Sequence, residues 1–76
     1  MKAIVHVTLR DGVLDPQGEA VKAALGNMGF DGVEAVRQGK VIELDLADGT
    51  SEATVTEMCE KLLANTVVES YRIELA

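Results

Sequence analysis

The chain has no tryptophan and only one each of tyrosine (Tyr71), phenylalanine (Phe30), histidine (His6), cysteine (Cys59) and proline (Pro16). It carries 7 Lys and Arg against 13 Asp and Glu, a net charge of −6. Scarce rings and an acidic balance exclude a nucleic-acid platform, which needs basic grooves and stacking aromatics. A lone cysteine excludes an internal disulfide, and without a Cys-x-x-Cys pair there is no zinc ribbon, metallochaperone or thiol-exchange motif. A reducing, cytoplasmic setting is therefore expected. No run approaches the ~18 apolar residues of a membrane span, and residues 1–6 lack the apolar core of an export signal. Neither a membrane nor an export route is expected.

What is present suits a folded chain: 47% apolar and 26% charged residues over 76 positions, ordinary values for a globular protein. That length predicts a single domain, 1–76, with a core that supplies no more than ~3 to 5 kcal/mol by itself. A homodimer or higher homo-oligomer, or a partner protein, is the expected supplement.

Residues 3–9 alternate, with Ala3, Val5, Val7 and Leu9 on one face and Ile4, His6 and Thr8 on the other, which predicts a half-buried strand. Asp11-Gly12 breaks it. Asp15-Pro16 then places a capping carboxylate before a proline at the first helical position, where its missing N–H costs nothing. Val21, Ala24, Leu25 and Met28 recur at helical spacing, predicting an inward stripe, and Gly29 is placed to end the helix. Residues 33–38 and 41–47 read as two strands joined by a hairpin at Gly39-Lys40. Thr50 or Ser51 can cap a second helix, with Val55, Met58, Cys59, Leu62 and Leu63 as its inward stripe and Asn65 near its end. Residues 67–75 read as a last strand with Tyr71, Ile73 and Leu75 on one face.

The predicted order is βαββαβ: an α+β two-layer sandwich, ferredoxin-like or a close variant, with two helices on one face of an antiparallel sheet. The other sheet face would carry Ile4, His6, Thr8, Val41, Glu43 and Arg72, a mixture suited to a wet subunit interface.

No catalytic residue and no metal ligand is expected. His6 has no serine or cysteine nucleophile beside it in sequence and reads as a structural or interface histidine. Cys59 sits in an inward stripe, where a free cysteine behaves as a small hydrophobe. Glu43 and Asp45 share a face but lack a third ligand. Gly26-Asn27-Met28-Gly29 ends a helix, whereas phosphate loops open one; at the start of the first helix Asp15 would repel an anion. Two places invite a partner instead. Arg37 and Lys40 flank Gly39 as the compact basic spot of the chain, suited to an acidic surface. Gly18 costs a helix about 1 kcal/mol relative to alanine, which either the close approach of another backbone or local turn geometry would explain.

Three blocks carry a family resemblance: VTLRDGVLDPQGEA at 7–20, VRQGKVIEL at 36–44, and MCEKLLAN at 58–65 running into VVESYRIE at 67–74. In order and spacing over nearly the whole chain, these resemble the PurS family, the small subunit of phosphoribosylformylglycinamidine synthase. Thr66 departs from the family pattern, which usually has proline there. The resemblance implies a non-catalytic subunit of a purine-biosynthesis ligase complex. That complex turns formylglycinamide ribonucleotide, ATP and glutamine into formylglycinamidine ribonucleotide, ADP, phosphate and glutamate. The small subunit is expected to bridge a large synthetase subunit and a glutaminase subunit and to support ammonia transfer between them. ATP and Mg would be used by the complex, with no cofactor bound by this chain. Position in the matching motifs makes Asp15, Pro16, Gln17, Gly18, Arg37, Gly39 and Lys40 the expected partner contacts. The alternative of another class is an ACT-like regulatory module, which shares the strand order and binds small molecules between subunits.

Overall fold

A computed structural model describes residues 1–75. Three strands and two helical stretches form in the order β1 (Lys2–Leu9), α1 (Pro16–Asn27), β2 (Gly39–Asp45), α2 (Glu52–Met58) and β3 (Glu69–Leu75). A π-helical turn, Cys59–Leu63, continues α2 directly. The sheet is antiparallel in the order β2-β1-β3.

The period-2 pattern of β1 sets the two faces. Val5 lies opposite Ile42 and Ile73, Ala3 opposite Leu44 and Leu75, and Val7 opposite Tyr71, so the apolar positions of all three strands meet on one face. Val55 and Cys59 close over it, and with Ala3, Val5, Val7 and Ala64 they make the buried core. Ile42, Leu44, Leu46, Leu63, Tyr71 and Ile73 pack around that cluster while half-exposed. The N-terminus extends the ladder: the Met1 amine donates to the Leu46 carbonyl (3.0 Å) and the Leu46 N–H to the Met1 carbonyl (2.7 Å). On the opposite face lie Ile4, His6, Thr8, Val41, Glu43 and Arg72, as the alternation requires.

The α+β class stands, but the strand expected over 33–38 does not form, and neither does the hairpin at Gly39-Lys40. Gly39 and Lys40 are instead the first two residues of β2, paired with Thr8 and Val7. The cause is the position of α1, which makes no extensive contact with any strand. Its 12 residues span about 18 Å, and residues 30–38 are the extended leg that returns along it. A segment committed to that return is not free to pair with the sheet.

The turn at the far end of α1 follows the Schellman pattern. The Phe30 N–H donates to the Leu25 carbonyl (3.0 Å) and the Gly29 N–H to the Gly26 carbonyl (3.1 Å). Gly29 takes a φ of 94° there, a conformation that a side chain resists.

Two expected helix faces therefore change. In α1 only Gly18 is buried; Val21 and Met28, placed on an inward stripe, are exposed. In α2 the expected Ser51 cap forms, its Oγ accepting from the Thr54 N–H at 3.2 Å. Beyond it the Ala64 N–H reaches back five residues to the Cys59 carbonyl (3.0 Å). That wider π turn shifts the register, turning Leu63 and Ala64 toward the core and Leu62 outward to 83% exposure.

The result is elongated. The radius of gyration is 15.7 Å and the long axis 49 Å, against about 11 Å expected for a compact chain of this length. The sheet with α2 is the body. The helix α1 with its return leg is an arm.

Candidate partner-contact site

The seven residues expected as partner contacts lie in two segments far apart in sequence, and the structure brings the segments together where the arm joins the body. Asp15 is the clasp. One of its carboxylate oxygens accepts the Gly18 N–H at 2.9 Å, capping α1, and the other accepts the Gln38 N–H at 2.8 Å. The hydrogen bonds from Gln38 and Gly18, helped by the nearby Arg37 charge, hold the Asp15 carboxyl below its ordinary range despite some desolvation.

Gly18 answers to that clasp. A Cβ built there would lie 2.5 Å from the Asp15 carboxylate and 2.7 Å from the Val36 carbonyl. Both readings of this glycine hold at once, because the backbone that approaches it is the chain's own return leg and the local turn is the Asp15 cap.

Arg37 is used internally. Its guanidinium donates to the Leu9 carbonyl and lies 3.5 Å from the Arg10 carbonyl and from the Asp11 carboxylate. It ties the return leg to the end of β1, so Arg37 and Lys40 do not form one free basic spot. Lys40 points the other way, with Nζ 3.9 Å from Glu69 Oε2. Glu69 in turn accepts the Asn65 N–H at 2.7 Å. Between these groups is a cleft of about 230 Å³ whose walls include Asp15, Gln17, Gln38, Gly39, Lys40 and Glu69.

The candidate residues thus divide by what remains available to another molecule. Asp15 and Arg37 bond within this chain, although the Arg37 side chain stays 46% exposed; the space beside Gly18 is filled, and Gly39 is held in β2. Gln17 and Lys40 are exposed at the rim of the cleft, and Pro16 is exposed at the start of α1. Gln38, Glu69 and Arg10 were not among the expected residues. Gln38 contributes through its backbone, which carries no side-chain signal. Glu69 had no role assigned within the strand expected over 67–75, and Arg10, whose Nε donates to the Thr66 carbonyl (3.1 Å), acts across 56 residues.

A second polar cluster occupies the open sheet face. His6 Nε2 is 3.1 Å from Glu74 Oε1, which also accepts from Arg72 at 2.6 Å. The Arg72 hydrogen bond holds the Glu74 carboxyl low, with the His6 contact adding to it. The Cys59 thiol is buried, and desolvation pushes its pKa up, away from the nucleophilic thiolate. Among the described residues no three His, Cys, Asp or Glu side chains converge as a metal site. Among these residues no helix is long and apolar enough to cross a membrane.

Fold and site together define a class: a small α+β chain with a three-stranded body, a projecting helical arm and a carboxylate clasp at their junction. A family model described as "PurS: Phosphoribosylformylglycinamidine (FGAM) synthase" matches residues 2–76, and the chain belongs to the PurS family. It is 51% identical over 76 residues to the phosphoribosylformylglycinamidine synthase subunit PurS of Bacillus subtilis, covering 97% of this chain and 90% of that one. The corresponding subunit of Mycobacterium leprae is 47% identical, with 95% and 91% covered. In three dimensions the chain superposes on Bacillus subtilis PurS with a TM-score of 0.87 at 52% identity, covering 96% and 94%. It superposes on a chain of PurLQS from Thermotoga maritima with a TM-score of 0.84 at 34% identity, covering 96% and 93%.

Proposed function

We propose that this chain is the small subunit of phosphoribosylformylglycinamidine synthase, a purine-biosynthesis ligase. It bridges the synthetase and glutaminase subunits so that ammonia released at one reaches the other. The observation that carries this reading is the full-length likeness, in sequence and in shape, to PurS chains that include one from a PurLQS structure. The geometry supports it: the cleft rim presents contact groups, and the clasp fixes the angle between arm and body.

Ammonia transfer needs two active sites held in fixed relation with water excluded between them, a task for rigid complementary surfaces. In this reading the isolated chain has no catalytic activity. ATP and Mg act within the complex rather than on this subunit, and the complex works in the cytoplasm, with the small subunit present as a homo-oligomer. The small-molecule-binding alternative rested on the six-element strand order, which three strands do not supply.

Assembly tests the reading. Synthetase and glutaminase subunits sedimenting together only when this chain is present is the expected result; co-sedimentation without it would contradict the bridging role. Lys40→Glu, at the exposed cleft rim, is expected to weaken that assembly. Arg37→Glu acts differently, loosening the junction itself, and lowers the thermal stability of the free chain as well.

A further inference from the structure

Two guanidiniums, those of Arg10 and Arg37, line one open depression of about 650 Å³ at the end of β1, walled also by Thr8, Leu9, Asp11 and Ser70. Arg10 is fixed at both ends: its backbone N–H donates to the Val68 carbonyl (2.8 Å) and its Nε to the Thr66 carbonyl (3.1 Å). Arg37 is held by the Leu9 and Arg10 carbonyls. All of these acceptors are neutral backbone groups, which orient a guanidinium without cancelling its charge. The one countercharge in the depression is Asp11, 3.5 Å from Arg37 on a fully exposed side chain that water screens. Among the described residues no carboxylate pairs with Arg10. Thr8 and Ser70 are opposite one another in the β1–β3 ladder with their hydroxyls 3.4 Å apart. That is too long for a strong bond, so each hydroxyl keeps a proton to donate.

We propose that this depression binds a small phosphate-bearing anion. A phosphate presents its acceptor oxygens as a tetrahedron, able to take N–H donors from both guanidiniums and O–H donors from both hydroxyls together. A carboxylate has two coplanar oxygens, which a single guanidinium fork already satisfies. With a net charge of −6 the chain as a whole repels anions, so binding here depends on the local arrangement of donors and not on general attraction. Asp11 is the built-in competitor for Arg37, and an arriving anion displaces it into water. The proposal goes beyond the synthase reading, which leaves this chain without a ligand.

The test uses the free chain, so its outcome is independent of the synthase reading. Inorganic pyrophosphate is titrated at fixed ionic strength into the nitrogen-labelled chain, and the amide resonances are followed. Saturable shifts are expected at Thr8, Leu9, Arg10, Asp11, Arg37 and Ser70. Arg10→Gln is expected to weaken binding by on the order of tenfold or more, the worth of a charge-assisted hydrogen bond. Thr8→Val suits a strand and leaves both arginines in place, so it tests the site even if Arg10→Gln loosens the chain; a several-fold loss is expected. Asp11→Asn removes the competitor and is expected to tighten binding. Lys61→Gln deletes an exposed cation beyond α2 and is expected to change nothing. An absence of saturable shifts would overturn the proposal, as would an equal loss in Lys61→Gln, the mark of unspecific attraction. Glutarate binding as tightly as pyrophosphate would assign the depression to carboxylates and overturn it equally.

Discussion

Asp15 joins the start of α1 to the return leg, and its ionisation makes that testable. Its carboxyl is held below the ordinary value of 3.8 by hydrogen bonds available only in the folded chain. A lowered folded pKa gives stabilisation that is fully present above the unfolded value and is lost as pH falls through the folded one. The clasp is therefore expected to hold from neutral pH down to the unfolded carboxylate range and to open below it. The Gly18 and Gln38 amide resonances report this directly. They are expected to move together with one midpoint below 3.8 and to lose that transition in Asp15→Asn. Gly18→Ala tests the same junction sterically: a Cβ 2.5 Å from a carboxylate oxygen forces the clasp or the return leg to shift. A loss of about 1 to 3 kcal/mol is expected, read as a thermal midpoint lower by roughly 4 to 8 °C per kcal/mol. Much of this site was legible in the chain, because a capping Asp-Pro pair followed by an unfavourable helical glycine already marked an unusual junction. What was not legible is that Arg37 would spend its guanidinium on carbonyls at Leu9 and Arg10. A charge beside a glycine looks the same whether it faces solvent or its own backbone.

Among the elements, those whose pattern was period-2 against a buried face kept the faces read for them, although the last strand, expected over 67–75, begins at Glu69 and β2, expected over 41–47, spans Gly39–Asp45. In β1 and β3 the inward positions Val5, Val7, Tyr71 and Ile73 meet on the core face, because a one-residue slip would invert every side chain. The helical stripes were less reliable guides. Apolar spacing in α1 states which side needs covering and not who covers it, so a stripe awaiting another surface reads like one in a core. In α2 the stripe holds through Val55 and Cys59 and fails at Leu62, because the π turn adds one residue to the repeat. Two substitutions separate these cases. Val55→Ala, inside a core that supplies only ~3 to 5 kcal/mol, is expected to cost about 2 kcal/mol and to raise the unfolded fraction by more than tenfold. Leu62→Gln is expected to stay within about 0.5 kcal/mol of wild type, as an exposed surface change does. Chemical denaturation of both variants checks the contrast. The strand expected over 33–38 failed for a reason of length. The chain had to travel back along α1, a demand visible only once the helix was known to leave the sheet.

For the whole molecule, an elongated chain with a small core and an arm joined by a clasp is built to hold other surfaces at a fixed spacing. In the proposed function this spacing couples ammonia release to its use. The direct measurement compares glutamine-driven with ammonia-driven synthesis of formylglycinamidine ribonucleotide by the synthetase and glutaminase subunits, with and without this chain. Glutamine-driven turnover is predicted to appear only when the chain is added, with ammonia-driven turnover nearly unchanged. Equal glutamine-driven rates with and without the chain would contradict the account.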